Sequence, residues 1–116
     1  LKGIYTTKGG DSIYYPITKI NSNITIVANS YSLSQNYPNP FNPRTKINYM
    51  LSKRSEVVLK VYNITGKLIS TLVNKKETEG EYEFEFDGSD QSSGVYFYSL
   101  FLDDHLMETK KMILIR

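Results

Sequence analysis

The 116-residue sequence contains no cysteine, no tryptophan, one histidine, four prolines and seven glycines. Without cysteine there is neither a disulfide framework nor a thiol nucleophile, although an oxidising compartment stays open because stability need not come from disulfides. Charge of one sign is scarce too. Lysine and arginine number 14 against 12 acidic residues, and a net +2 makes no case for nucleic acid or an anionic membrane surface. The imbalance sits at one end. Lys2, Lys8 and Lys19 against Asp11 supply all of it, which leaves 11 basic and 11 acidic residues from position 33 onward. No apolar run approaches the roughly 20 residues of a membrane span, so no transmembrane segment is expected.

What is present points to strands. Ten tyrosines and five phenylalanines suit a pleated surface on which aromatic side chains pack. The length suits one ordinary domain with a real core. The start at Leu1, with neither methionine nor signal peptide, reads as a processed or excerpted piece.

The first third differs from the rest. Short β-like pieces at Gly3–Thr7, Ser12–Thr18 and Asn23–Ala28 are broken by Gly9-Gly10 and Asn21-Ser22-Asn23. They fit a hairpin plus a strand, the tail of a preceding domain, or a linker. We therefore divide the chain into an arm, linker or tail over 1–32 and a domain over 33–116. From Thr45 onward the alternation is strong. Ile47, Tyr49 and Leu51 share one face, and Val57, Leu59 and Val61 another. Asn63–Gly66 is a turn, Lys67–Val73 a third strand, and Tyr82, Phe84 and Phe86 alternate with Glu81, Glu83 and Glu85. The run Val95–Leu102 is apolar at nearly every position, as in a central strand covered on both faces, and Leu106–Ile115 closes the series. At least six short strands with polar turns and no helical period predict an antiparallel sandwich. Its expected core includes Ile47, Leu59, Val61, Tyr82, Phe84, Phe86, Tyr96, Tyr98 and Leu100.

Catalytic constellations are missing. Asp103, Asp104 and His105 are metal ligands by type, but adjacent residues at a strand end point apart, and a solvated turn fits better. Asp87, Ser89 and Asp90 lack the glycine and distal bidentate glutamate of a calcium loop. His105 at a hairpin tip cannot serve a triad unaided. The glutamates at 81, 83 and 85 have the spacing of a wet strand face, not of paired carboxylates for glycoside hydrolysis. The Asn-Ile-Thr sequons at Asn23 and Asn63 matter only in a secreted eukaryotic protein. We expect no enzyme, no metal and no cofactor.

One stretch stands out. Three of the four prolines, Pro38, Pro40 and Pro43, fall in "NYPNPFNP", Asn36–Pro43. Each fixes φ and removes a backbone donor, which predicts a stiff, extended lead-in that is neither helix nor paired strand. Tyr37 and Phe41 are its expected anchors, and Asn39 and Asn42 precede prolines and so favour extended backbone.

In order, "LSQNYPNPFNP", "TKINYML", "VVLKVYNITGKLISTLV", "GEYEFEFDG", "SSGVYFYSL" and "ETKKMILIR" closely resemble the type A C-terminal sorting domain of type IX (Por) secretion systems in Gram-negative bacteria. The resemblance runs from about Leu33 to Arg116. Gln91 departs from it where a leucine is usual, and Arg44 where a small hydroxyl residue is commoner. The resemblance implies an immunoglobulin-like sandwich of about seven strands and export of a preceding passenger through the periplasm to the outer-membrane surface or exterior. It also implies recognition by translocon components and usually removal by a surface sortase. On this reading Asn36–Pro43 marks the boundary, and Gly94, Tyr96, Lys110, Lys111 and Arg116 are candidate signal residues, with "KKMILIR" presented at the end of a folded domain. Asp11-Ser12-Ile13 looks like a bacterial O-glycan acceptor, with Ser12 the modified residue, and "GIYTTKGG" is loosely similar to a propeller strand.

A second reading is structural. Ser22–Leu33, "SNITIVANSYSL", alternates apolar residues and could add as a strand to a neighbour's exposed edge, making a retained domain a building block of a surface assembly through self-association. A carbohydrate-binding module stacking sugars on Tyr5, Tyr14 or Tyr15 is a third and weaker one.

Overall fold

The computed structural model describes residues 31–116, which form seven strands: β1 (Tyr31–Leu33), β2 (Arg44–Leu51), β3 (Ser55–Asn63), β4 (Leu68–Glu77), β5 (Gly80–Asp87), β6 (Gly94–Leu102) and β7 (His105–Leu114). The expected strands before Tyr31, the acceptor Ser12 and Tyr5, Tyr14 and Tyr15 lie outside the described residues. All pairing is antiparallel, in a three-stranded sheet ordered β1-β2-β5 and a four-stranded sheet ordered β4-β3-β6-β7. Among the described residues there is no helix.

Period-2 patterning explains most of this. In β2, Thr45, Ile47, Tyr49 and Leu51 are buried and Arg44, Lys46, Asn48 and Met50 exposed. In β3, Ser55, Val57, Leu59 and Val61 are buried. The two inner faces close on one core in which Ile47, Val57, Leu59, Val61, Tyr98, Leu100 and Met112 reach zero exposure. Each of these aliphatic side chains contributes on the order of 1.5–3 kcal/mol by leaving water.

Turns follow their residues. Asn63 Oδ1 accepts from the amides of Thr65 and Lys67, both at 3.0 Å, and Gly66 takes a φ of +88° that few other residues tolerate. Asp103 and Asp104 occupy positive φ, 51° and 68°, in the two-residue β6–β7 hairpin, where aspartate is one of the few non-glycine residues at home.

Four expectations need correction. Tyr82 and Phe84 face inward but are only half-buried, unlike Phe86, because β5 is an edge of its sheet. β6 is central, yet its outward Val95, Phe97 and Phe101 are half-buried, since nothing among the described residues covers that face; Ser99, buried there, is matched by Thr109 at 2.7 Å. β4 continues past Val73 through polar Asn74–Glu77, which pair with Ser55–Val58 of β3: ladder bonds override weak strand propensity. Finally, Asn36–Pro43 is not an unpaired extended run. It bends repeatedly and pairs at both of its aromatic residues.

Candidate functional site

The prolines of Asn36–Pro43 punctuate a strap that ties the two sheets together along one flank. The chain leaves β1 with the Ser34 amide donating to Asn48 O at 2.9 Å, and Tyr37 exchanges two backbone bonds with Lys46 of β2, at 3.0 and 2.9 Å. It then crosses to β7. The Phe41 amide donates to Ile113 O and the Ile115 amide to Phe41 O, both at 2.9 Å, a short parallel bridge to the last strand. Proline cannot donate, so pairing falls on the neighbouring non-proline residues Tyr37 and Phe41.

Phe41 is the apolar anchor. It is 2% exposed and meets Phe86 edge to face, ring centroids 6.1 Å apart. Gly88 makes room for it: a Cβ there would lie 3.2 Å from Leu114, 3.3 Å from Phe41 and 3.4 Å from the Pro43 carbonyl. Tyr37, the other expected anchor, is 80% exposed, because its backbone pairs while its ring points out.

The polar anchor is Asn36, buried and fully used. Its amide donates to Tyr98 Oη at 2.8 Å, and its Nδ2 donates to Thr45 Oγ1 at 2.9 Å and to Pro38 O at 3.1 Å. Gln35 Nε2 donates to Asn36 Oδ1 and to Lys111 O, both at 2.7 Å. Thr45 Oγ1 donates to Pro38 O, and Tyr98 Oη to Ser34 O at 2.7 Å. A buried amide matched this completely fixes the strap in one register, since each orphaned group would cost about 1–3 kcal/mol. Burial pushes the Tyr98 phenol up to about 12, so it remains a donor at any ordinary pH.

The last residues are held from both sides. Asn39 Oδ1 accepts from the Ile113 amide at 3.0 Å. Opposite, the Arg116 amide donates to Ser93 Oγ at 2.7 Å, and its guanidinium donates to Ser89 O and Gln91 O, both at 2.6 Å, with Gly88 O at 3.4 Å. Met112 and Leu114 fill the core, while Ile113 is half-buried and Ile115 half-exposed. Lys110 is half-buried beside Glu108 at 3.1 Å, and Lys111 is exposed on the outer face.

The strap and the last strand, far apart in sequence, therefore form one surface. Pro38, Asn39, Pro40, Asn42, Lys111 and Ile115 are exposed on it. Gly94 and Tyr96 stand opposite Leu114 and Met112 of the last strand. Gly94 opens β6 at a φ of +153°, and Tyr96 is buried with Oη donating to Ser92 O at 2.6 Å, closing the β5–β6 loop. That loop is further ordered by Asp87, which accepts from the Ser89 amide at 2.9 Å and from its hydroxyl; those bonds hold the carboxyl below its usual range. Arg44 reaches Asp87 at 3.5 Å on the surface. Asp103, Asp104 and His105 are exposed, with Asp103 Oδ1 accepting from the Glu56 amide at 2.9 Å. Among the described residues no three His, Asp or Glu side chains converge. The sequence places Asn36 in the boundary motif but gives neither it nor Ser93 a structural partner, because Tyr98, Thr45 and Arg116 reach them only through folding.

Residues 35–115 match the family described as "Secretion system C-terminal sorting domain". The chain belongs to that family. Its members are sorting signals and in general not catalysts. Among solved structures the domain is similar to the crystal structure of dimeric latent PorU from Porphyromonas gingivalis, with 18% identity and a TM-score of 0.62. The similarity covers 79% of this chain and 10% of that one. At that identity the likeness speaks for fold, and it agrees with the immunoglobulin-like sandwich. No curated protein sequence matches the chain. Membership carries a C-terminal sorting role in type IX secretion, and with it export to the cell surface or exterior and contact with the secretion machinery. Among the described residues no helix is long and apolar enough to cross a membrane.

Proposed function

We propose that residues 33–116 are a non-catalytic address that carries a covalently preceding passenger through the type IX translocon, and that the address is read as a folded surface, not as a linear tail. The observation that carries this reading is the junction just described. Ile113 to Arg116 are bonded to Asn39 and Phe41 on one side and to Ser93 and the 88–91 loop on the other. A reader that engages these residues therefore meets the strap in the same footprint. The residues preceding the strap offer the place for a sortase to separate passenger from domain.

The candidate signal residues divide accordingly. Lys111 and the exposed strap residues are available to a partner, Lys110 is partly committed to Glu108, and Arg116 and Tyr96 act by holding the surface together. The test is a reporter carrying an inner-membrane signal, fused ahead of residues 31–116 in a type IX host. It should reach the medium or cell surface, whereas retention in the periplasm would contradict the sorting reading. A second reading, a retained building block of a surface assembly, draws support from the open flank formed by β4 and β5.

A further inference from the structure

The strap covers one flank of the sandwich. On the other, the edges of the two sheets, β4 and β5, have no partner among the described residues. Unpaired edges invite strand addition, and proteins usually blunt them with bulges and inward-pointing charges. β4 is blunted in both ways. Its register with β3 shifts twice, and Lys75 and Glu77 stand on the same face as Val57 and Ser55, which point into the core. β5 has neither device. Its register with β2 is unbroken from Arg44↔Asp87 to Leu51↔Gly80, and its inward residues are Tyr82, Phe84 and Phe86, the first two half-buried. Its outward face presents Glu81, Glu83 and Glu85, of which, among the described residues, only Glu83 has a cation in reach, Lys46 at 3.4 Å.

We infer that the free edge of β5 accepts residues 23–29 of a second copy of this chain as an added strand. Three observations choose that occupant. Thirty residues precede Tyr31, and within them Asn23–Asn29 places Ile24, Ile26 and Ala28 on one face, apolar partners for the half-buried Tyr82 and Phe84. The other face, Asn23, Thr25, Val27 and Asn29, brings no negative charge towards the glutamates. The same thirty residues hold Lys2, Lys8 and Lys19 against Asp11, so the donor region is basic where the acceptor is acidic.

Reach selects the second copy over the same molecule. The slot outside β5 lies three strand spacings from β1, about 14 Å. Asn29 is two residues from Tyr31, and two extended residues span at most about 7 Å. A strand passed from one copy to the next leaves each chain with a donor and an acceptor, which yields open chains or closed rings. The inference deepens the assembly reading and rests on it, and it stands apart from sorting.

The experiment is mass by light scattering on the full chain across a dilution series, with Ile26→Pro as donor variant and Phe84→Lys as acceptor variant. Ile26→Pro removes a ladder donor outside the described domain, and Phe84→Lys gives β5 the inward lysine that β4 carries. The wild type should show multiples of the monomer mass and each variant a monomer. A mixture of the two variants should restore a dimer that grows no further, because one supplies an acceptor and the other a donor. If Phe84→Lys does not fold, the peptide 22–30 added to Ile26→Pro protein replaces it, and saturable binding with protection of β5 amides from exchange is expected. Wild type that is monomeric throughout overturns both the inference and the assembly reading. Oligomers indifferent to Ile26→Pro overturn the inference and leave assembly by another surface. A monomer with protected amides at 24–28 places the strand in its own molecule and overturns it likewise.

Discussion

The two flanks of this sandwich solve the same problem differently. On one, the edge of β7 and the stretch of β2 that β1 leaves uncovered are bound by the strap with backbone bonds, a buried asparagine and a buried phenylalanine. On the other, β4 and β5 are left open, and the inward Tyr82 and Phe84 of β5 are only half-buried. Similar alternating strands thus bury very different amounts of surface according to what lies beside them. Stability should concentrate on the sealed flank, and changes of similar chemistry should cost more there.

The largest effect is expected from Phe41→Ala. The side chain is buried and meets Phe86 edge to face, so its removal leaves a cavity and the loss should be about 3–5 kcal/mol, read from the denaturation midpoint. Asn36→Ala and Tyr98→Phe should each cost about 1–3 kcal/mol by orphaning buried partners. Tyr98 also sets an alkaline limit. Burial raises its folded pKa from an ordinary 10 to about 12, so the neutral phenol's full contribution is present below pH 10. Between pH 10 and 12 the unfolded chain loses the proton while the folded one keeps it, and stability falls. Burial shifts Tyr49 and Tyr31 upward as well, so Tyr98→Phe should flatten the alkaline limb only in part, as a pH series of melting temperatures would show.

On the open flank, Phe84→Ala should cost about 1–2 kcal/mol, since the ring is only partly removed from water. A loss equal to that of Phe41→Ala would erase the contrast between the flanks. Smallest of all, Lys111→Gln should move stability by less than about 0.5 kcal/mol. Because its fold is preserved, that variant reads recognition alone, and any fall in export must come from the surface.

Much of the fold was legible because burial in β2, β3 and β5 follows a strict period of two. Ile47, Leu59, Val61 and Phe86 are buried as their alternation indicates, and Tyr96, Tyr98 and Leu100 as expected of a central strand. Periodicity says nothing about edges, and so it overestimated Tyr82 and Phe84. It also undervalued Asn74–Glu77, where a neighbour's ladder and not the side chains makes the strand. The strap was legible as stiff but not as paired. Aromaticity pointed equally to Tyr37 and Phe41, whereas backbone direction sends one ring out and the other in. Asn36 carries no periodic signature, because its value comes from Tyr98 and Thr45, brought to it only by folding. Arg116 reads as a surface charge in sequence, yet its guanidinium is spent on loop carbonyls, which makes it unsuited to a simple charge-removal test.

The central claim, that the address is the folded junction and not its final residues alone, is tested by comparing export of one reporter fused to residues 31–116 with export of the same reporter fused to residues 105–116 only. The expected result is export of the first and periplasmic retention of the second, since Ile113 to Arg116 lose Asn39, Phe41 and Ser93 in the shorter fusion. Equal export of both would show that the tail suffices as a linear signal and would contradict the claim.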